Sequence, residues 1–129
     1  MFSEAELAFL RTQRVARIAT VAPDGQPTVD AVGFSFDGTH FYVGGHNITA
    51  TRKYQNVAAG NIRVSLVIDE LTSLQPWQAL GIRVYGEAEA VESQAHFGPG
   101  IYLVITPKVS WSWGIEDQQG KAGPKKTVW

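Results

Sequence analysis

Apolar and polar residues alternate along most of the chain with the two-residue period of β-strands. The alternation predicts about six short strands, at residues 14–21, 28–36, 41–43, 61–69, 81–91 and 101–105. Turn residues separate the first of them: Pro23-Asp24-Gly25 follows the first strand, and Asp37-Gly38 predicts a tight hairpin after the second. The first three strands should therefore form an antiparallel meander.

Two short helices complete the predicted elements. Ser3 and Glu6 have the spacing of a capping box at the start of the first helix. The second helix is predicted over residues 49–57, with Gly60 as its C-terminal cap, and the tail over residues 120–126 should be loosely ordered. Six strands with only short helices indicate an all-β fold, an antiparallel barrel that leaves no open strand edges.

Length and composition narrow the classes of function. The 129 residues suit a single domain over residues 1–129 whose core needs neither disulfides nor a structural metal. Cysteine is absent and the three histidines are far apart, so we predict no metal site. With 11 basic and 12 acidic residues the charge is balanced, which argues against nucleic acid as a partner. Neither a signal peptide nor a membrane span is apparent, so we expect no membrane association and a cytoplasmic location.

The segment from Gly44 to Lys53 carries the clearest functional signal, since no standard catalytic motif occurs. Gly44 and Gly45 would let the backbone approach a ligand closely. Arg52 and Lys53 fall in the first turns of the second helix, where cations oppose the helix dipole. An anionic ligand such as a phosphate would explain them. The alternative is an ordinary strand-to-helix connection with two solvated cations.

Four tryptophans, Trp77, Trp111, Trp113 and Trp129, stand out in so small a chain. Trp111 and Trp113 share one face of the last predicted strand region. Indoles fill cores and also stack on flat heterocycles. We predict one of this pair in the core and the other at an interface or a ligand.

Several segments, taken in their order and spacing, carry a resemblance to a known family. They are residues 17–21 (RIATV), 23–27 (PDGQP), 32–38 (VGFSFDG), 51–57 (TRKYQNV), 61–69 (NIRVSLVID), 105–108 (ITPK) and 113–114 (WG). The chain resembles the flavin-reductase-like proteins related to pyridoxamine 5′-phosphate oxidase, specifically their small branch that uses the deazaflavin coenzyme F420. The resemblance implies a six-stranded antiparallel split β-barrel of the FMN-binding type. It also implies a homodimer with two cofactor sites, each built from both chains.

The resemblance further implies which residues hold the cofactor. Its phosphate would lie against Thr51, Arg52 and Lys53, the segment that the residues themselves single out. The resemblance implies that backbone groups line the ring at Gln26, Pro27, Val29, Val43, Gly44, Gly45 and His46. The partner chain would contribute Arg63 and Trp77. Trp113 or Trp111 would supply an aromatic surface.

Asp30 bears on the choice of cofactor. The FMN-dependent oxidases of the family carry an Arg and a Lys on the strand region of residues 29–33, where they grip the FMN phosphate, whereas this chain has Asp30. We therefore expect an F420H2-dependent reductase that transfers a hydride to a small conjugated or unsaturated substrate. The alternatives are an FMN-binding protein or FMN-dependent oxidoreductase of the same fold, and a non-catalytic cofactor-binding module. No catalytic side chain is assigned; water, His46 or Tyr42 could supply the proton.

Overall fold

The computed structural model describes residues 1–95, 97–116 and 123–129. Within these ranges the chain forms two α-helices and eight strands. In chain order they are α1 (Glu4–Thr12), β1 (Val15–Val21), β2 (Pro27–Gly33), β3 (Ser35–Phe36), β4 (Phe41–Val43), α2 (Arg52–Ala58), β5 (Arg63–Leu74), β6 (Trp77–Ser93), β7 (Gly100–Trp113) and β8 (Lys125–Val128). A short 3-10 turn, Ile48–Ala50, precedes α2.

The strands form one antiparallel sheet in the order β2-β1-β5-β6-β7-β4-β3, with β8 paired to β7. The two ends of this order, β2 and β3, are separated in the chain by Phe34 alone. The sheet therefore curls round and closes through one interrupted strand. Counted in this way, the six predicted strands are present, and the split β-barrel and its opening meander are confirmed.

The alternation of side chains places one face of each strand in the barrel interior. The side chains of Phe41, Ile68, Ile82, Leu103 and Ile105 are completely buried there. Phe9 and Leu10 of α1 are buried against the same core. A barrel of this size, filled by its own side chains, has no room for a cofactor inside, so a ligand must bind on its surface.

Local signals at the helix ends behave as predicted, with one shift of boundary. In the capping box of α1, the Glu6 N–H donates to the Ser3 hydroxyl (3.2 Å) and the Ser3 N–H donates to the Glu6 carboxylate (2.8 Å). The second helix begins at Arg52 rather than at residue 49, because Thr51 is extended (φ −85°, ψ 152°) and caps it. Gly60 follows that helix at φ +106°, as expected of a terminating glycine.

Other predicted boundaries are wrong. The last predicted strand, residues 101–105, continues as β7 to Trp113. β5 continues beyond residue 69 to Leu74, and β6 begins before residue 81, at Trp77. The added residues pair with each other as a two-stranded hairpin. Lys125 and Lys126 belong to β8 instead of a loose tail, since their backbone pairs with Ser112 and Trp111 of β7. Residues 120–122 of the predicted tail lie outside the described residues.

Trp129, which follows β8, explains why this segment is ordered. Its ring lies edge-on to Phe2 with the centroids 4.7 Å apart, and its indole N–H donates to the Ser110 hydroxyl at 3.0 Å. The Lys125 ammonium lies 3.6 Å from the carboxylate of Glu6, a buried side chain of α1. These contacts join the end of the chain to α1 and β7.

Replacing Trp129 by alanine should therefore lower the free energy of unfolding by about 2 kcal/mol, because a half-buried aromatic contact and an indole hydrogen bond are both lost. Urea denaturation followed by far-UV circular dichroism measures the change. Trp129→Phe should recover part of the loss, since it keeps a ring against Phe2 but has no N–H for Ser110. A wild-type midpoint in Trp129→Ala would show that the terminus is not anchored.

Candidate cofactor-binding site

Among the open grooves formed by the described residues, two include predicted site residues in their lining, and each has the size of a small-molecule site. The first, of about 640 Å³, crosses β1, β5 and β6; its lining includes Val21, Pro27, Asn61, Arg63, Tyr85 and Glu87. We call it the outer groove. The second, of about 630 Å³, lies between the β4–α2 connection and the start of β7; its lining includes Gly33, Gly44, Gly45, His46, Phe97 and Tyr102. We call it the glycine groove.

The wall of the glycine groove is aromatic and closely packed. A Cβ atom at Gly44 would come within 2.6 Å of the Tyr102 ring, so a glycine is needed here to leave room for that ring. Tyr102 is held by its hydroxyl, which donates to the Gly98 carbonyl at 2.6 Å, and Phe97 stacks on it. A Cβ at Gly45 would meet nothing within 4 Å. Of the two glycines, Gly45 is therefore the one whose backbone is open to a ligand.

The residues predicted to hold a phosphate lie around the start of α2. Thr51 caps the helix: its hydroxyl donates to the Ile48 carbonyl at 2.6 Å and accepts from the Tyr54 N–H at 3.4 Å. Arg52 and Lys53 occupy the first turn, as predicted. Because α2 has only seven residues, its dipole contributes little, and the case for an anion rests on the two side-chain charges.

Lys53 differs from Arg52 in having an acidic neighbour. Its ammonium lies 3.9 Å from the Asp30 carboxylate of β2, and its side chain is only 12% exposed. Arg52 is exposed and forms no ion pair with any described residue. The acid singled out in the sequence is thus adjacent to the predicted phosphate site.

Strand β2 connects the parts of the site. Pro27 at its start lines the outer groove, Asp30 in its middle faces Lys53, and Gly33 at its end lines the glycine groove. Gln26 precedes the strand in an exposed turn, where its N–H donates to Asp24, and the Val29 side chain is 67% exposed. The structure therefore places Gln26, Pro27, Val29, the glycines, His46 and Lys53 along one strand and its flanks.

The remaining predicted residues lie elsewhere. Val43 is fully buried, so only its backbone could face a ligand. Arg63 lines the outer groove opposite Glu87, and Trp77 is 69% exposed at the tip of the β5–β6 hairpin. Val91 of β6 pairs with Tyr102, which lines the glycine groove. The path along β6 from Trp77 to Val91 is about 45 Å, at about 3.3 Å per residue. Trp77 lines neither groove of its own chain.

The prediction of one core tryptophan in the Trp111 and Trp113 pair is wrong. Both side chains are half-buried on the outer face, while Ser110 and Ser112 point inward. Trp111 lies under the Arg83 guanidinium, 4.6 Å from its ring centroid. A Cβ at Gly81 would come within 2.6 Å of the Trp113 ring, so Trp113 packs against that glycine. Trp129 packs against the core instead, because β8 brings it to Phe2.

Several lining residues were missed from the sequence. Tyr85 and Glu87 follow Arg83 in the outward alternation of β6, a signal that could have marked this face of the strand. Phe97 and Tyr102 have no comparable signal, because Phe97 lies in the loop between β6 and β7 and the position of Tyr102 is set by the pairing of β7 with β4 and β6. His96, one of the three histidines, lies outside the described residues.

The two proton donors suggested by the sequence have different surroundings. The Tyr42 hydroxyl donates to the Asp37 carboxylate at 2.8 Å, and this hydrogen bond raises the pKa of Tyr42. Tyr42 lines a separate recess with Asp37, whereas His46 is exposed in the glycine groove. A phenol with a raised pKa is a weaker acid, so the geometry favours His46 or water over Tyr42.

Asp37 predicts a specific pH dependence of stability. Burial acts to raise the pKa of Asp37, but hydrogen bonds from the Thr39 and His40 N–H groups and from Tyr42 outweigh it and lower the pKa to about 2. The ionised Asp37 carboxylate therefore stabilises the fold at pH values above 3.8, the ordinary pKa of an aspartate. This contribution is lost as the pH falls towards 2. Asp37→Asn should lower Tm at neutral pH, with the difference from wild type closing on acidification. A difference that is constant with pH in thermal scans would refute the assignment.

Two further observations concern partners and metals. In the part of the chain that the structure describes, no helix is long and apolar enough to cross a membrane. The same residues contain no cluster of three or more His, Cys, Asp or Glu side chains that could hold a metal ion.

The fold and the grooves define a class of protein: a split β-barrel with a filled interior and ligand-sized grooves on its outer surface. The sequence model described as pyridoxamine 5′-phosphate oxidase matches residues 2–129, and the chain belongs to that family. A curated relative from Streptomyces rimosus subsp. rimosus is 32% identical over 123 residues, covering 89% of this chain and 84% of the relative. It is named 5a,11a-dehydrotetracycline/5a,11a-dehydrooxytetracycline reductase.

Solved structures share the fold. A protein named F420 reductase superposes with a TM-score of 0.62 at 24% identity, over 85% of this chain and 98% of its own. An FAD-binding protein of Mesorhizobium loti superposes with a TM-score of 0.66 at 24% identity, over 86% of this chain and 93% of its own. At this level of identity the similarity concerns the fold alone.

Proposed function

We propose that the protein is an F420H2-dependent reductase, which transfers a hydride to a small conjugated or unsaturated substrate. The observation that carries the proposal is the position of Arg52 and Lys53 beside β2, with Asp30 lying 3.9 Å from Lys53. The family resemblance implies cations on this strand in the FMN-dependent members. The 32% identical relative is named as a reductase, which supports an oxidoreductase. A neighbour of the same fold is named an F420 reductase.

In this proposal the chain supplies binding, orientation and exclusion of water, and bound F420H2 supplies the hydride. Arg52 and Lys53 would hold the phosphate by charge-assisted hydrogen bonds. The Thr51 hydroxyl joins them if it turns its proton away from Ile48. The open backbone at Gly45 would accommodate the ring system, and His46 or water in the glycine groove would deliver a proton to the reduced product.

We also propose that the active form is a homodimer with sites shared between the chains. The resemblance assigns Trp77 to the cofactor site, and since Trp77 lines neither groove of its own chain, it would contribute only from a second copy. Exposed apolar side chains on the outer strands, among them Val29, Tyr85 and Val128, are consistent with a covered face. Sedimentation velocity across a dilution series tests it; a monomer at every concentration would contradict a shared site.

The test of the function is a pair of measurements on the purified protein. Fluorescence titrations with F420 and with FMN compare the two cofactors, and oxidation of F420H2 is then followed with a panel of conjugated acceptors that includes a dehydrotetracycline. Tight F420 binding with turnover would support the reductase. Tight FMN binding with weak F420 binding would favour an FMN-dependent protein, an alternative kept open by the FAD-binding neighbour. Binding of F420 with no reduction of any acceptor would indicate a non-catalytic cofactor-binding module.

A further inference from the structure

The charges around Lys53 are not those of a simple cationic site. The Lys53 ammonium is 3.9 Å from Asp30, whose side chain is 46% exposed and accessible to a ligand. Arg52, the neighbouring cation, is exposed without an ion-pair partner among the described residues. An anion bound at Lys53 would therefore lie close to one positive and one negative charge, with the positive charge of Arg52 on the adjacent residue.

This balance differs for the two common kinds of organic phosphate. A phosphodiester carries one negative charge. A phosphomonoester carries nearly two negative charges above its second pKa of about 6. Its additional charge would be placed beside the Asp30 carboxylate, where like charges repel. The repulsion from Asp30 is proportional to the charge of the ligand, so it penalises the monoester about twice as strongly in free energy.

We propose that Asp30 is a specificity-determining residue that weakens the binding of a phosphomonoester at this site more than that of a phosphodiester, and so shifts the preference of the site towards the diester. The inference rests on the proposed phosphate site of Arg52 and Lys53 and names the chemical class of ligand that this site takes. The side chain of F420 is joined through a phosphodiester, whereas FMN ends in a phosphomonoester. Asp30 thus contributes to specificity by weakening the binding of FMN as much as by any contact with F420.

A positioning role for Asp30 has the opposite consequence. If the carboxylate only held Lys53 in place, its removal would free the ammonium and weaken the binding of every phosphate ligand. If it acts by charge, its removal tightens binding, and the gain grows with the charge of the ligand. The sign and the charge dependence of the effect therefore distinguish the two roles.

Asp30→Asn, which keeps the size of the side chain and removes its charge, tests the inference with three ligands that share one ring and ribityl chain. They are riboflavin with no phosphate charge, the phosphate methyl ester of FMN with one, and FMN with nearly two at mildly alkaline pH. Quenching of flavin fluorescence measures each affinity for wild type and variant. We expect no change for riboflavin, about threefold tighter binding of the methyl ester and about tenfold tighter binding of FMN, given the size of interactions between partly exposed charges.

Asp69→Asn is the matched control, because Asp69 forms an exposed ion pair with Arg17 on another part of the sheet. It should leave the affinities of all three ligands unchanged. Equal gains for the methyl ester and FMN, weaker binding of both, or no detectable binding of FMN to Asp30→Asn would overturn the inference. A different result would contradict the proposed function alone. In that case wild-type protein neither binds nor oxidises F420H2, while Asp30→Asn still binds FMN more tightly than wild type does.

Discussion

Replacing Lys53 by alanine should weaken F420 binding by about 10- to 150-fold, equivalent to roughly 1.5–3 kcal/mol for a charge-assisted hydrogen bond to phosphate. Arg52→Ala should have an effect in the same range but smaller than that of Lys53→Ala. The reason is Asp30: with Lys53 gone, the carboxylate that lay 3.9 Å from the ammonium is left facing the phosphate. The loss of attraction is then accompanied by repulsion.

Fluorescence titration of each variant with F420 measures this effect, and two further variants make it interpretable. Lys53→Arg keeps the positive charge beside Asp30 and should retain most of the affinity. Arg11→Ala removes an exposed cation of α1 that lines neither groove and should bind as wild type does. Near-wild-type affinity in both Lys53→Ala and Arg52→Ala would rule out this phosphate site.

The largest effect on stability is expected at Phe41, where alanine should cost about 3–5 kcal/mol of unfolding free energy. Phe41 is completely buried, and its ring lies 4.4 Å from that of Phe36 and 6.1 Å from those of Phe2 and Phe34. Removing it leaves a cavity in the middle of this aromatic cluster. The surrounding strands cannot collapse into that cavity, because β4 is hydrogen-bonded to β7 on one side and to β3 on the other.

Urea denaturation of Phe41→Ala and Phe41→Leu tests this prediction. Leucine fills more of the space, so Phe41→Leu should lose clearly less stability than Phe41→Ala. Equal losses in the two variants would mean that the cost comes from the strand pairing and not from the cavity. A loss below about 1 kcal/mol in Phe41→Ala would show that the cluster is not the centre of the core.

Phe41 also connects stability to the candidate site. Strand β4 has only three residues, of which Phe41 and Val43 point into the core, and it leads directly into Gly44 of the glycine groove. The closure of the barrel therefore fixes where this groove begins. A variant that loosens β4 should show weakened cofactor binding, whereas Trp129→Ala, which acts on the β8 side of β7, should affect stability alone.

The sequence by itself determined the features that depend on near neighbours in the chain. The two-residue period identified the six strands, because side chains on a strand alternate between its faces whatever the strand pairs with. The capping box of Ser3 and Glu6 and the hairpin turn at Asp37-Gly38 are set by residues within a few positions of each other. Arg52 and Lys53 lie in the first turn of α2 for the same reason.

Only the tertiary structure decided which distant residues meet. Asp30 faces Lys53 across the contact between β2 and α2, and Trp129 reaches Phe2 from the other end of the chain. Tyr102 closes against Gly44 because β7 pairs with β4, which no local pattern shows. Such contacts depend on strand order and register, and these are selected by the burial of the whole core. The charge balance of the candidate site is therefore a property of the closed barrel.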